Sequence, residues 1–211
     1  MQYKKFLFYL LCLFLIFFSG CTQEIKNIDS KGRNIICFGD SITAGSGAGE
    51  GEDYPSLLAK ELSLPVINAG SSGETTFGAL KRLQRDVLEK DPLLVIVEFG
   101  GNDFLQKIPP KKTFDNLDKI VTEIQNHGAI VVIAEVRAPI FMNEYKKGFR
   151  IIAKKRKAVL MPNLLSGILD HPSLKSGSIH PNKEGYKIIS ERVLDIIQPI
   201  IQENRQLRNT D

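Results

Sequence analysis

The chain has 211 residues, of which 43% are hydrophobic and 25% are charged, with a formal net charge of +4. This length and composition suit one globular domain with short additional segments. No basic stripe interleaved with aromatic residues is present, which argues against nucleic acid as a partner.

The N-terminus has the pattern of an export signal. Lys4 and Lys5 precede an apolar run from Phe6 to Phe18, which closes on Ser19-Gly20-Cys21. The run is shorter than the roughly 20 residues of a membrane-spanning helix and ends in small residues, so residues 1–20 are predicted to be a signal peptide. The small pair before a cysteine resembles a bacterial lipobox, which implies cleavage before Cys21 and a lipid on its thiol. The alternative is an uncleaved anchor helix; either one ties the domain to a membrane outside the cytoplasm.

The cysteines fit this interpretation. Cys12 leaves with the signal, Cys21 carries the lipid, and only Cys37 remains, inside an apolar strand pattern typical of a small buried residue. No disulfide framework and no Cys/His zinc spacing is present, so we expect no metal and no organic cofactor. Removal of residues 1–20 takes away two lysines and no acids, which leaves a nearly neutral domain of charge +2.

Residues 21–33 are polar and irregular and are predicted to form a tether. Apolar runs rich in Ile and Val then alternate with stripes of helical spacing, which predicts a parallel five-stranded sheet covered by helices on both faces, an α/β fold with three α/β/α layers. The domain is predicted to span residues 34–198, followed by a polar tail at 199–211. The predicted strands are Ile35–Phe38, Val66–Asn68, Leu93–Phe99, Ile130–Val136 and Ala158–Met161.

Polar motifs follow the predicted strands, at the edge of an open α/β sheet where ligands bind. The first strand runs into Gly39-Asp40-Ser41-Ile42-Thr43, the second into Asn68-Ala69-Gly70, and the third into Gly100-Gly101-Asn102-Asp103. His180-Pro181-Asn182 precedes the last helix, where Asn182 is placed to cap it. The glycines of residues 44–53 fit neither a dinucleotide loop nor a P-loop and predict a flexible surface loop.

These four blocks, in this order across residues 35–197, resemble the GDSL/SGNH hydrolase family. Within it the chain is most similar to the small esterases and thioesterases related to lysophospholipase L1. The resemblance implies a flavodoxin-like fold and catalysis by Ser41 as nucleophile and His180 as base. It also implies an oxyanion hole made by the N–H groups of Ser41 and Gly70 and by the Asn102 amide.

Acyl-transfer chemistry explains these residue types. A serine hydroxyl needs a base within hydrogen-bond reach, and donors aimed at the developing oxyanion stabilise the transition state. A glycine at position 70 would let the backbone approach the substrate closely. Asp40 is interpreted as structural, holding loop N–H groups around the serine. In the alternative interpretation, Ser41 is a helix cap and Asn102 belongs to an ordinary turn.

One position departs from the family pattern, which has an aspartate three residues before the histidine; here it is Gly177. Three explanations are open. Asp170 folds back to His180, or a Ser-His dyad is oriented by a backbone carbonyl or by Ser178, or catalysis has been lost.

Two functions therefore remain. In the first, the chain hydrolyses small acyl esters such as a lysophospholipid, a short acyl ester or an O-acetyl group. In the second, it is an envelope lipoprotein that only binds acylated or glycan ligands. Apolar residues near the strand ends would line an acyl site or merely anchor loops: Phe104, Leu105, Ile140, Phe141 and Met142.

Overall fold

The structure is a computed structural model that describes residues 24–136 and 143–210. Cys21 and the segment Ile140–Met142 lie outside the described residues. No helix in the described ranges is both long and apolar enough to cross a membrane.

Five parallel strands form the main sheet, in the order β2-β1-β3-β4-β5. This is the flavodoxin-like order, whose switch point lies between β1 and β3. The predicted fold class is therefore confirmed, and each predicted strand corresponds to an observed one. The strands are β1 Asn34–Gly39, β2 Val66–Gly70, β3 Pro92–Glu98, β4 Ile130–Ala134 and β5 Val159–Met161.

Helices cover both faces of the sheet, and a two-stranded hairpin precedes the last of them. The helices are α1 Ser41–Ala44, α2 Tyr54–Glu61, α3 Thr76–Asp86, α4 Gly101–Leu105, α5 Pro110–Asn126, α6 Asn143–Arg156 and α7 Lys183–Arg208. The hairpin consists of β6 Lys175–Ser176 and β7 His180–Pro181.

Successive side chains of the buried strands enter different cores, as the pleat requires. Ile35 and Cys37 of β1 pack with α2 and α7, whereas Ile36 and Phe38 pack on the opposite face with α3, α5 and α6. Because both faces are covered, the strands have apolar runs without polar alternation. Cys37 is a buried free thiol, as predicted.

Helix α6 was not predicted from the sequence. Gly148 interrupts its pattern, and lysines and arginines are dense along it. In the fold, a Cβ at Gly148 would clash with the Phe114 ring of α5. The glycine, which is unfavourable for an isolated helix, therefore allows α6 to pack closely on α5.

Both predicted domain boundaries need correction. The second half of the predicted tether is packed on the domain: Asn27 Nδ2 donates to the carbonyls of Gln125 (2.8 Å) and Ala129 (2.9 Å). The predicted polar tail is the last part of α7, which continues through Pro199 to Arg208. Proline normally breaks a helix because it lacks an N–H, but here tertiary packing outweighs that cost.

The buried side of this last segment explains its stability. Ile200 and Ile201 are buried in the core shared with α2. Asn204 is buried, and its Nδ2 donates to the carbonyls of Ile28 (2.7 Å) and Ser30 (3.0 Å).

We therefore expect a chain that ends at Gln198 to lose about 3 kcal/mol or more of unfolding free energy, since two isoleucines lose their burial. A chain that ends at Arg208 is the matched control and should retain the full stability. Urea unfolding followed by circular dichroism measures both, and equal midpoints for the two chains would contradict the assignment.

Candidate active site

The turn after β1 presents Ser41 at the first position of α1. Asp40 caps this short helix, because its Oδ1 accepts the N–H of Ile42 at 3.0 Å. Asp40 itself is buried, whereas Ser41 borders a cleft. The cap is thus the residue before the serine, and the Ser41 hydroxyl is left for other partners.

The β6–β7 hairpin brings His180 to this turn, with His180 Nε2 at 2.9 Å from Ser41 Oγ. Asn182 caps α7 directly after the hairpin, as predicted, by accepting the N–H of Gly185 at 3.1 Å. The two residues predicted to be nucleophile and base therefore form a hydrogen bond although 139 positions separate them.

The loop of residues 44–53 was predicted to be a flexible surface segment, but it contacts the histidine hairpin. Tyr186 Oη donates to the Ser46 carbonyl at 2.9 Å. Gly47 has φ +96°, and a Cβ there would lie 2.5 Å from the Pro181 carbonyl oxygen. The glycine is required by this close approach, which places the loop against the hairpin that carries His180.

The His180 imidazole has no hydrogen-bond partner besides Ser41 within the described ranges. Asp170 and Ser178 form no hydrogen bond with it, so in this geometry Asp170 does not replace the missing aspartate and Ser178 does not orient the imidazole of a Ser-His dyad. Burial alone lowers the pKa of His180 from its ordinary value. The imidazole is therefore neutral at neutral pH, which is the form that accepts a proton.

Asn102, at the start of α4, lies between two loops. Its Nδ2 donates to Asp40 Oδ2 and to the Glu74 carbonyl, both at 3.0 Å. The amide is thus oriented by the turn that carries Ser41 and by the loop after β2. Asp103 is buried and accepts the N–H of Thr76 at 2.9 Å, which joins α4 to α3.

Gly70 does not occupy the position that the sequence suggested. Its N–H donates to Asn68 Oδ1 at 2.9 Å, and a Cβ there would clash with the backbone N of Ala44. Close packing of β2 on α1, and not approach to a substrate, therefore explains this glycine.

Gly73, in the loop after β2, has the free N–H and the open surroundings that the sequence led us to expect at Gly70. It has φ +78°, and a Cβ would meet nothing within 4 Å. Neither its N–H nor that of Ser41 has an acceptor in the part of the chain that the structure describes. The adjacent Glu74 carbonyl contacts Asn102, so this loop borders the same site.

Sequence reasoning also missed a buried group below the turn. Glu98, the last residue of β3, is fully buried, and its Oε2 accepts from Thr43 Oγ1 (2.9 Å) and from the Asp40 N–H (3.2 Å). Burial is the largest cause that raises the pKa of Glu98 well above its ordinary value, and burial raises the pKa of Asp40 to about 6. An acidic residue at the end of an apolar strand was the available signal.

A small cleft of about 70 Å³ opens beside Ser41. Its polar end contains Asp40, Ser41 and Asn102, and the remaining wall is mostly apolar: Ile42, Gly101, Leu105, Val136, Leu165, Leu169 and Ile179. Leu105 thus lies where the sequence suggested, whereas the Phe104 ring packs edge-on against Tyr145 at 5.5 Å. No cluster of three His, Cys, Asp or Glu suited to a metal occurs among residues 24–136 and 143–210.

Comparison with known proteins shows the family to which the chain belongs. Residues 37–188 match the model of the GDSL-like Lipase/Acylhydrolase family. The chain belongs to this family. The matched segment includes Ser41, Asn102 and His180, and it covers the five-stranded sheet from the fourth residue of β1 onward.

Several relatives cover most of the domain. The arylesterase of Vibrio mimicus is 32% identical over 87% of this chain and 94% of that protein. Thioesterase 1/protease 1/lysophospholipase L1 of Escherichia coli is 27% identical over 81% of this chain and 86% of that protein. The resemblance inferred from the four blocks is thereby confirmed.

Two further similarities concern structure and localisation. The esterase EstA of Pseudoalteromonas sp., in a crystal structure inhibited by monoethylphosphonate, has a TM-score of 0.73 at 30% identity, with 81% of this chain and 99% of that chain covered. The uncharacterized lipoprotein YqeF of Bacillus subtilis is 30% identical over 57% of this chain and 53% of that protein.

The turn between β6 and β7 offers a test of how His180 is oriented. Ser176 of β6 lies opposite His180 of β7 in the hairpin. Residue 177 is therefore the first residue after the one that faces His180. Gly177 has φ +71°, and a Cβ there meets nothing within 4 Å. Aspartate is among the residues that tolerate this backbone region.

We expect Gly177→Asp to raise kcat for ester hydrolysis by about tenfold, because a carboxylate beside the imidazole stabilises its protonated form. The same charge raises the pKa of His180. Since the base must be neutral, the acidic limb of the pH–rate profile should move to higher pH than in the wild type, whose limb lies below the ordinary value of about 6.5.

Gly177→Asn is the matched control, because it has the same size and backbone tolerance without charge. It should leave both kcat and the acidic limb near those of the wild type. Identical profiles for the two variants would mean that residue 177 does not reach the imidazole.

Proposed function

We propose that the chain is a serine esterase that hydrolyses acyl esters or thioesters through an acyl-enzyme at Ser41. The observation that carries this proposal is the 2.9 Å hydrogen bond between Ser41 Oγ and His180 Nε2. A serine hydroxyl becomes nucleophilic only with such a base in reach. The lowered pKa of His180 supports its role as that base.

In the first step, Ser41 Oγ attacks the ester carbonyl carbon while His180 Nε2 takes the hydroxyl proton. The tetrahedral intermediate collapses as His180 returns this proton to the leaving alcohol or thiol, which leaves an acyl-serine. Water then attacks the acyl-serine while His180 takes a proton from it, and His180 returns this proton to Ser41 Oγ as the carboxylic acid is released.

The oxyanion is proposed to be stabilised by the N–H groups of Ser41 and Gly73 and by the Asn102 amide. The two backbone donors have no acceptor among the described residues, which leaves them for a substrate oxygen. The Asn102 N–H groups are already engaged, so the oxyanion would share one of them in a three-centre hydrogen bond. The sequence suggested Gly70 for this role, but its N–H is held by Asn68.

The acyl group is proposed to be short. The cleft beside Ser41 is small, with a volume of about 70 Å³ in the described structure, and it is partly open to solvent. Leu105 and Ile179 at its rim are about half exposed and offer apolar contact to anything longer. Short acyl esters and O-acetyl groups therefore suit it better than long fatty acyl chains.

The test is hydrolysis of p-nitrophenyl esters of increasing acyl length by the full-length protein in detergent, beside Ser41→Ala. We expect kcat/KM to be highest for acetate to butyrate and to fall by about 10³-fold or more in Ser41→Ala. Equal turnover by both proteins would exclude Ser41 as the nucleophile. Absence of turnover from a folded wild type would favour a protein that only binds acylated or glycan ligands.

We further propose that the enzyme is exported and anchored by a lipid on Cys21, with its cleft directed away from the anchor. Residues 24–33 run along the N-terminal edge of the sheet, opposite to Ser41. The Lys26 N–H donates to the Lys157 carbonyl just before β5, and the Arg33 N–H donates to the Asp91 carbonyl just before β3, both at 3.0 Å.

The length of β1 sets the distance between the proposed anchor and the site at Ser41. Six residues of a strand, Asn34–Gly39, extend about 20 Å at roughly 3.3 Å per residue. Cys21 lies only three residues before Glu24, so a lipid there would hold the opposite edge of the domain near the membrane. An anchored enzyme would then meet soluble or wall-attached esters more readily than lipids of its own membrane.

Cys21→Ala should release the protein from the membrane fraction of the expressing bacterium while kcat/KM on a soluble ester stays unchanged. Cys12→Ala is the matched control and should stay in the membrane fraction, because Cys12 leaves with the signal. Fractionation and immunoblotting measure both. If Cys21→Ala also stays in the membrane, the apolar run Phe6–Phe18 is an uncleaved anchor.

A further inference from the structure

The carboxyl group of Glu98 lies directly below the turn that carries Ser41. Glu98 is the sheet neighbour of Gly39, the residue at which β1 ends. A Cβ at residue 39 would lie 2.6 Å from Glu98 Oε2 and would clash with Thr43 Oγ1. The glycine before the Asp-Ser pair therefore leaves the space in which Glu98 and Thr43 meet.

Glu98 Oε2 connects the two ends of the turn. It accepts the N–H of Asp40, the residue before the serine, and the hydroxyl of Thr43, two residues after it. Thr43 Oγ1 also lies 3.0 Å from the hydroxyl of Tyr54, which is fully buried on α2. The position of Ser41 is thus fixed from both sides by contacts that its own side chain does not make.

The Glu98 carboxyl group also influences the orientation of Asn102, a proposed oxyanion donor, through its contact with Asp40. Its bond to the Asp40 N–H holds that residue, whose Oδ2 in turn accepts from Asn102 Nδ2 at 3.0 Å. One buried group at the end of β3 therefore orients both the proposed nucleophile and one proposed oxyanion donor.

Burying the Glu98 carboxyl group is unfavourable, which indicates that this residue has a role other than packing. Its second oxygen, Oε1, is buried with no hydrogen-bond partner among the described residues. A buried polar atom without a hydrogen-bond partner destabilises the folded state. Burial, and after it the nearby Asp40 charge, raise the pKa of Glu98 well above its ordinary value, which favours the protonated form. A protonated carboxyl group resembles a glutamine in having both a donor and an acceptor.

We propose that Glu98 is a positioning residue for catalysis, which holds the Asp40–Thr43 turn so that Ser41 and Asn102 are aligned with His180. The proposal rests on the proposed esterase function. It assigns no proton transfer to Glu98 and no contact with the substrate.

Three variants separate positioning from mere packing. Glu98→Gln keeps an acceptor for Asp40 and Thr43, Glu98→Met keeps the length without an acceptor, and Thr43→Val removes one donor. We expect Glu98→Gln to keep kcat within about threefold of the wild type, and Glu98→Met to lower kcat at least about tenfold with KM within about twofold. Thr43→Val should lie between them, and adding it to Glu98→Met should cause little further loss.

The measurements are kcat and KM for p-nitrophenyl acetate and thermal unfolding for each full-length variant. Thr122→Val is the matched control, because its hydroxyl donates only to the Asp118 carbonyl one turn earlier in α5. A folded Glu98→Met protein with wild-type kcat would overturn the proposal. If Glu98→Met does not fold, wild-type kcat in folded Thr43→Val would overturn it equally.

A second readout keeps this test independent of the proposed esterase function. Hydrogen–deuterium exchange of the peptide covering residues 39–44 should be faster in Glu98→Met than in the wild type and unchanged in Glu98→Gln. If the wild type has no esterase activity, the proposed function fails, and this exchange alone decides whether Glu98 holds the turn. Equal exchange in all three proteins would contradict the positioning role.

Discussion

The hydrogen bond between Asp40 Oδ2 and Asn102 Nδ2 connects the ends of the two central strands, and the geometry of the site depends on it. Asp40 directly follows β1, and Asn102 is the second residue of α4, the helix that follows β3. Because Asp40 Oδ1 also caps α1, one carboxyl group sets the direction of the serine and the orientation of the amide.

Burying such a carboxyl group is unfavourable unless its oxygens are hydrogen-bonded. Both Asp40 oxygens have donors, and Glu98 supplies an acceptor for the Asp40 N–H. Arg82 adds a cation on the other side of β1: its guanidinium donates to the carbonyls of Gly39 and Ala69 at 3.0 and 2.8 Å and pairs with Glu74. The carbonyl ends of β1 and β2 and the loop carrying Gly73 are thus held by one side chain.

The sheet and the turn that carries Ser41 were predictable because their signals are local. Strands buried on both faces have continuous apolar runs, and the carboxyl ends of parallel strands meet at one edge, so Ser41 and Asn102 were expected to be neighbours. Gly70 illustrates the limit of this reasoning. A glycine after a strand has the same sequence signature whether it faces a substrate or, as here, the backbone of Ala44.

The errors at the chain ends have the same origin. Pro199 and the polar residues after it predict the end of a helix, and only the docking of Ile200, Ile201 and Asn204 on the distant residues 28–30 reverses that preference. The positioning role proposed for Glu98 could likewise not be predicted from the sequence, since its partners come from the turn after another strand. Both features depend on contacts between segments far apart in the chain, and the local sequence pattern carries no information about such contacts.

The absence of a carboxylate beside His180 changes what the rest of the site must do. In a triad the acid fixes the tautomer and stabilises the imidazolium, and its removal in other serine hydrolases lowers kcat by about 10⁴. Here the imidazole is oriented by its bond to Ser41 and by the hairpin that Gly47 and Asn182 hold in place. Burial keeps it neutral and therefore able to accept a proton, but no described carboxylate compensates the positive charge that forms in the transition state. In the proposed mechanism, more of the stabilisation must then come from the proposed oxyanion donors, whose alignment we assign to Asp40 and Glu98. A dyad of this kind should therefore be more sensitive to loss of the buried acidic pair than a complete triad would be.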